Sequence, residues 1–332
     1  MSTTQATPPR IPFIDFSRQD PELAADVQAA ITRVLASGWY ILGPEVAAFE
    51  AEWAKACGAA FAVGVANGTE AVTLALLATG AIEPGRQDEV VTSALTAGYT
   101  ALAILRAGAV PVFADVDPKT GIVTAETLAR AITPRTRALL PVHLYGQMAD
   151  LGAIAELARA RGLVLIEDAC QAHGASLDGT LLGDPAGKRA GAMGRAGAHS
   201  FYPTKNLGAI GDGGAIVSDD PDLIARARVL RYGGQVRTYW HSDPNGVNSR
   251  LDELQAAILR AKLSHLAAAT AERRRQARRY LVSLAGTRFE PALELARALG
   301  PTRHAYHLFV VQSPHRDRLR AVLAERGIQT LV

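Results

Sequence analysis

Apolar positions recur along the first sixty residues with a helical period and then change rhythm. Over 21–37 they fall at Leu23, Val27, Ile31, Val34 and Leu35, and the pattern stops before Gly38, where a left-handed cap belongs. A second helix is expected after Gly43-Pro44, with Val46, Phe49 and Trp53 on one face, so that 11–57 reads as an N-terminal helical arm. Short apolar runs then alternate with helical patterns. Strands are expected at 61–66, 89–93, 110–114, 138–143 and 163–167, and helices at 68–79, 100–107, 124–131 and 151–160. Such alternation with short connections predicts an α/β fold, a mainly parallel sheet covered on both faces. Ligands in these sheets bind beyond the carboxyl ends of the strands. Further along, the glycine-rich stretch 174–197 reads as loop, followed by strands at 198–202 and 214–218, a helix over 222–231 and a loop to Asn248. A long helix is expected within 251–284, then a strand at 305–311, a helix over 316–326 and the start of another strand at 328–332. The expected division is a large ligand-binding domain over 1–250 and a linker helix with a smaller domain over 251–332.

Composition narrows this picture. With 332 residues, 48% of them hydrophobic, the chain can bury a sizeable core. Thirty-five basic against 32 acidic residues leave a formal charge of +3, too even a mixture to imply a nucleic-acid or membrane-surface partner. The run Arg273, Arg274, Arg275, Arg278 and Arg279 is expected to be a solvated helix face. Cys57 and Cys170 supply neither a disulfide framework nor zinc-ligand spacing, and read as buried thiols in a reducing compartment. Residues 1–10 lack a signal-peptide core and no apolar run is long enough to span a bilayer, so a cytoplasmic protein is expected.

The candidate chemistry lies where strands end. Asp168 follows the strand at 163–167 and faces the crevice; alone, it could equally cap the next turn. Lys205 sits between Pro203 and four glycines, in a stretch 200–214 that also carries Ser200; alone, it would be read as one more exposed lysine. Gly68 and Thr69 open a helix straight after a strand, where free N–H groups and the helix dipole can hold an anion, although capping is the commoner job of such residues. Taken together, a lysine for covalent attachment, an acid to keep a pyridine nitrogen protonated and a phosphate cradle are the equipment that pyridoxal phosphate needs.

These segments, with Glu167-Asp168-Ala169-Cys170-Gln171-Ala172-His173-Gly174, Ser200-Phe201-Tyr202-Pro203-Thr204-Lys205-Asn206-Leu207-Gly208 and Asn248-Ser249-Arg250-Leu251-Asp252-Glu253, resemble the DegT/DnrJ/EryC1/StrS family of sugar aminotransferases. Pro12-Phe13-Ile14-Asp15, Leu42-Gly43-Pro44-Glu45-Val46 and Pro141-Val142-His143-Leu144-Tyr145-Gly146 match as well, so the resemblance spans nearly the whole chain. It implies an aspartate-aminotransferase-type (fold type I) large domain around a seven-stranded, mostly parallel sheet, a smaller C-terminal α/β domain, and a homodimer with shared active sites. It also implies that relatives continue past the point matching Val332, so the small domain is expected to be truncated. Lys205 would bind the cofactor covalently and move the proton at the substrate carbon, and Asp168 would pair with the ring nitrogen. Gln171 would contact the ring or its 3-hydroxyl, and Gly68, Thr69 and Ser200 would hold the phosphate, with Asn248 reaching it from the partner subunit. His173, Tyr99 and Arg250 are further candidate contacts, Tyr99 because Ala97 stands where the family often has a ring-covering aromatic residue. His143 is expected to be structural, and no metal site is expected.

The implied reaction moves an amino group from an L-amino acid, glutamate foremost, to a nucleotide-linked keto sugar. A keto-cyclitol acceptor is the close alternative; a non-catalytic or regulatory cofactor-binding protein is the alternative of another class. A dehydratase branch replaces the lysine by histidine, which Lys205 contradicts. A dinucleotide-dependent oxidoreductase would need Gly-x-Gly-x-x-Gly after the first strand, where Ala66-Asn67-Gly68-Thr69-Glu70 has a single glycine.

Overall fold

The first helices form where the spacing predicts, and both pack on a helix two hundred residues later. The computed structural model describes residues 10–18, 20–177, 189–237, 239–289, 297 and 302–332; the part of the expected glycine-rich loop at 178–188 lies outside them. Helix α1 (Pro21–Ser37) starts on an Asp20 side-chain cap and ends at Gly38, whose φ of 63° suits glycine. Helix α2 (Pro44–Cys57) buries Val46, Phe49 and Trp53. Its start is closed from far away. The buried Glu253 carboxylate accepts the N–H groups of Gly43, Glu45 and Val46, each at 2.8 Å, while Pro44 has no N–H to satisfy.

The alternation that follows is β1 (Phe61–Val65), α3 (Gly68–Ala78), β2 (Glu89–Ser93), α4 (Gly98–Arg106), β3 (Val110–Ala114), α5 (Ala125–Ala131), β4 (Thr136–Leu140), α6 (Leu151–Arg161) and β5 (Val164–Asp168). After it come β6 (Ser176–Leu177), β7 (Ala196–Ser200), β8 (Gly214–Ser218), α7 (Pro221–Arg231), the hairpin β9 (Gln235–Arg237) and β10 (Trp240–His241), α8 (Glu253–Leu284), β11 (Thr302–Arg303) and α9 (Arg316–Glu325). Seven strands form one sheet in the order β1-β8-β7-β5-β4-β2-β3. Only β8 runs against its neighbours; the pairs β2–β3, β2–β4, β4–β5 and β5–β7 are parallel.

Burial on both faces explains the unbroken apolar strands. Val90, Leu140 and Ile166 pack into one cluster with α3, α4 and α7, while their neighbours Val91, Leu139 and Leu165 pack into another with α5 and α6. A third cluster joins Phe49 and Trp53 to Phe201, Val217 and, from α8, Ala256 and Leu259.

Three expectations change. The loop before Asn248 contains the β9–β10 hairpin. The strand expected at 305–311 is absent, since its polar groups are met otherwise: Ala305 N–H donates to Gly146 O, Leu308 N–H to Tyr145 O, and Arg273 donates to the Tyr306 carbonyl. The arginine run is likewise only partly a solvated face, because Arg274 reaches inward to the carbonyls of His304 (2.9 Å) and Gly174 (3.0 Å). Of the expected last strand only a single parallel bridge forms, between Ile328 and Ile11, with Ile11 N–H on Gly327 O and Gln329 N–H on Ile11 O. Among the described residues no helix is long and apolar enough to cross a membrane, and no three His, Cys, Asp or Glu residues group as metal ligands.

Candidate active site

Three chain segments converge beyond the carboxyl ends of the central strands. At the first, Asn67 caps α3 by accepting the Glu70 N–H at 2.9 Å, which leaves the N–H groups of Gly68 and Thr69 without an intrahelical acceptor. Gly68 lies hard against the other two segments. A Cβ there would stand 2.5 Å from Ser200 Cβ, at the end of β7, and 3.0 Å from Cys170 Sγ, just after β5. The adjacent parallel strands β5 and β7 therefore deliver Asp168 and Ser200 to the helix start.

Asp168 is buried, and among the described residues it has no ion-pair partner. Its Oδ2 accepts from Thr100 Oγ1 at 2.8 Å and its Oδ1 from the Cys170 N–H at 3.2 Å. Two bonds leave acceptor capacity on a carboxylate that can take about four. Gln171 accepts the Tyr145 N–H through Oε1 at 2.8 Å, an arrangement that keeps its NH₂ free to donate elsewhere.

Lys205 lies in the loop between β7 and β8, which the backbone closes on itself. Phe201 N–H donates to Gly213 O, Ala209 N–H to Phe201 O, and Lys205 N–H to Tyr202 O. Asn206 and Lys262 tie the loop outward, to the carbonyls of Ala305 and Gly208. The Lys205 side chain is half-buried, and burial holds its ammonium below the ordinary lysine range against the opposing pull of Asp168 and Cys170. The shift is in the direction of the neutral amine, the form in which a lysine acts as a nucleophile or a base.

Behind the loop lies an aromatic cluster. His173 stacks on Phe201 with ring centroids 5.7 Å apart and stands 5.6 Å from both Trp53 and His199. Its two ring nitrogens are buried without hydrogen-bond partners, and burial pushes its pKa well down. Burial likewise lowers His199, His304 and His307 to about 3 each. His143 is structural, as expected: Nδ1 accepts the Ala149 N–H, so Nε2 carries the proton and donates to Glu167 at 2.8 Å. Glu167 also accepts the N–H groups of Gly191, Met193 and Gly194. Burial alone would raise its pKa, but these bonds hold it below the ordinary value.

Acid lability follows. A histidine with a depressed folded pKa leaves the unfolded state binding more protons below 6.5, so its stabilising effect is complete above that pH and is lost as pH falls toward 3. The expected slope is about 1.4 kcal/mol per pH unit for each such histidine. Below 4.5 the protonation of Glu167 in the unfolded state adds to it. Melting temperature should fall steadily from pH 6.5 to 4.5 and more steeply beyond, and a flat profile between pH 7 and 5 would refute this account.

Gly68, Thr69, Asp168, Gln171, Ser200 and Lys205 are thus gathered at one end of the sheet. The other expected residues stand apart in the protomer. Asn248 is exposed, bridged to Tyr232 and anchored through Ser249, whose hydroxyl accepts the Ala66 N–H at the end of β1. The Arg250 guanidinium lies over the Tyr232 ring at 5.6 Å, and Tyr99 is 69% exposed on the first turn of α4. Among the described residues no hydrogen bond joins Asn248, Arg250 or Tyr99 to Asp168 or Lys205. Two residues near the site were missed from sequence. Thr100 bonds Asp168 but lay unnoticed beside Tyr99. His307, whose pKa is lowered by burial and then by the Lys205 charge, sat within what read as a strand.

A profile of one family matches residues 21–332. The chain belongs to the DegT/DnrJ/EryC1/StrS aminotransferase family. It is 47% identical, over 99% of its own length and 83% of the relative's, to dTDP-3-amino-3,4,6-trideoxy-alpha-D-glucose transaminase of Streptomyces venezuelae. Among solved structures it resembles S. venezuelae DesV in complex with a ketimine intermediate, with a TM-score of 0.89 and 46% identity over 98% of this chain and 83% of that one. NtdA from Bacillus subtilis with bound cofactor PMP gives a TM-score of 0.86 and 30% identity over 100% of this chain and 73% of that one. The family member therefore has the fold-type-I architecture that its motifs imply, and the oxidoreductase alternative is set aside.

Proposed function

We propose that the chain is a pyridoxal-phosphate-dependent aminotransferase that moves an amino group from an L-amino acid, glutamate foremost, to the keto carbon of a nucleotide-linked sugar. One observation carries the reading: a buried carboxylate without an ionic partner among the described residues and a half-buried lysine with a lowered pKa lie together under a helix start that tolerates no side chain. A buried Asp168 carboxylate fits a cationic ring nitrogen, and the open N–H groups of Gly68 and Thr69 with the Ser200 hydroxyl fit a phosphate. The sugar acceptor is supported by the named activity of the S. venezuelae relative.

When bound, pyridoxal phosphate supplies the electron sink through which amino transfer proceeds. The chain's own residues do the rest. Asp168 would accept the ring N–H and so keep the ring nitrogen protonated and oriented. The Gln171 NH₂ would donate to the ring's oxygen substituent, and Lys205 would hold the cofactor covalently, its amine replacing the aldehyde oxygen, which leaves as water, and would then take and return the proton at the substrate carbon. His173 backs the Phe201 side of the Lys205 loop. Asn248, with Arg250 beside it, completes the phosphate site of a partner subunit. The homodimer this requires is supported by exposed apolar side chains, among them Trp39 and Tyr40 before α2 and Tyr239 and Trp240 on the β9–β10 hairpin. A cytoplasmic location is supported by two cysteines that remain free thiols.

The test is direct. Purified protein given pyridoxal phosphate should gain visible absorbance, sediment as a dimer, and form more than one equivalent of 2-oxoglutarate per site from glutamate only when a nucleotide-linked keto sugar is present. Protein that stays colourless with added cofactor would sink the reading.

A further inference from the structure

We propose that Thr100 is a positioning residue of the cofactor site: its hydroxyl, itself held by Thr96, fixes the Asp168 carboxylate and ties it to the turn that opens α4. The inference rests on the reading that pyridoxal phosphate sits against Asp168. Thr100 is 3% exposed, and its Oγ1 lies 2.8 Å from Asp168 Oδ2 and 2.8 Å from Thr96 Oγ1. A hydroxyl has one proton to give. Because Thr100 gives its proton to the carboxylate, Thr96 must be the donor in the second bond, and the chain runs from Thr96 through Thr100 to Asp168. The other carboxylate oxygen takes the Cys170 N–H at 3.2 Å. Rotation about the last bond of an aspartate is otherwise loosely restrained. Here each oxygen is tied to a different element, one to the chain leaving β5 and the other to α4, so the carboxylate plane is set by the fold before any ligand arrives.

The bond also works in the other direction. Helix α4 begins at Ala97, which offers no side-chain cap, so the Thr100 bond anchors that first turn to the sheet. Tyr99 rides on the same turn. Thr100 therefore couples the placement of that turn to Asp168.

The full-length chain, as wild type, Thr100→Val, Thr100→Ser and Asp168→Asn, should be titrated with pyridoxal phosphate. The readouts are the affinity, the absorbance maximum of the bound form and the melting temperature. Valine keeps the shape and removes the hydroxyl; it should weaken binding about tenfold or more and shift the absorbance maximum, as expected for a lost bond to a charged group. Serine keeps the hydroxyl and should stay within about twofold of wild type in affinity, with an unshifted spectrum. A valine variant with wild-type affinity and spectrum overturns the proposal. Equal weakening by valine and serine, accompanied by a lower melting temperature, overturns it too, since the methyl group and not the hydroxyl would then matter. If Asp168→Asn binds as wild type does, or wild type binds nothing, the reading of the site falls and takes the proposal with it.

Discussion

Replacing Lys205 with alanine is expected to abolish amino transfer and the visible absorbance of the loaded protein while leaving the fold intact. Loss of activity should reach at least about 10⁴-fold, because a positioned proton-transfer group alone is worth 10² to 10⁴ and covalent attachment is lost as well. The fold should survive because the loop is not held by the ammonium. Its closing bonds are backbone ones, Phe201 N–H to Gly213 O, Ala209 N–H to Phe201 O and Lys205 N–H to Tyr202 O, and its outward ties come from Asn206 and Lys262. Removing a cation that burial already disfavours costs the folded state little. Steady-state rates, an absorbance scan and a thermal melt check all three statements. A variant that keeps more than about one per cent of the rate would exclude Lys205 from the chemistry.

Gly68→Ala should weaken cofactor binding roughly ten- to hundredfold by a different route. The new methyl would stand 2.5 Å from Ser200 Cβ, closer than real Cβ atoms approach, and a tight 3.0 Å from Ser200 Oγ and Cys170 Sγ. The atom met most closely belongs to the end of a sheet strand and cannot swing away like a long side chain. Either the start of α3 or the end of β7 must shift. Either shift separates Gly68, Thr69 and Ser200, the three residues assigned to the phosphate. There is no slack on the other side, because Gly214 at the start of β8 presses against the backbone of Asn67. Overpacking of this kind costs about 1–3 kcal/mol, which would weaken binding roughly ten- to hundredfold if it falls on the bound state. Isothermal titration with pyridoxal phosphate measures it. Unchanged affinity together with a lowered melting temperature would mean that the crowding concerns folding alone and that Gly68 has no place in a phosphate cradle.

The parts of the site legible in the sequence were those encoded within a few residues. Asp168 was recognisable because it ends an apolar run, Gly68 and Thr69 because they stand where strand gives way to helix, and Lys205 because glycines and a proline crowd around it. Element ends agreed with expectation within a few residues where a cap sits beside the first or last turn, as at Asp20, Gly38 and Asn67. The long-range closures carried no such signal. Thr100 and Asp168 are 68 positions apart, and nothing next to Thr100 marks it as a donor. Glu253 reads as an ordinary first-turn acid of α8, yet its carboxylate closes α2 across more than two hundred residues. The segment 305–311 has a strand's composition and no strand, because Arg273 of α8, Asn206 and the 145–146 turn meet the Tyr306 and Ala305 carbonyls and the Ala305 and Leu308 N–H groups in place of a ladder.

The sequence by itself determined the α/β alternation and the family and named the candidate cofactor residues, since apolar periodicity, helix caps and contiguous motifs are local properties that survive without knowledge of partners. Only the tertiary structure decided which polar groups meet. It packed Ser200 and Cys170 against Gly68, tied Asp168 to the first turn of α4, placed His307 within reach of the Lys205 charge and drew Arg274 in from an apparent surface stripe. The physical reason is that a buried donor or acceptor must be satisfied by whatever the fold brings within about 3 Å, and that neighbour is set by sheet order and not by distance along the chain.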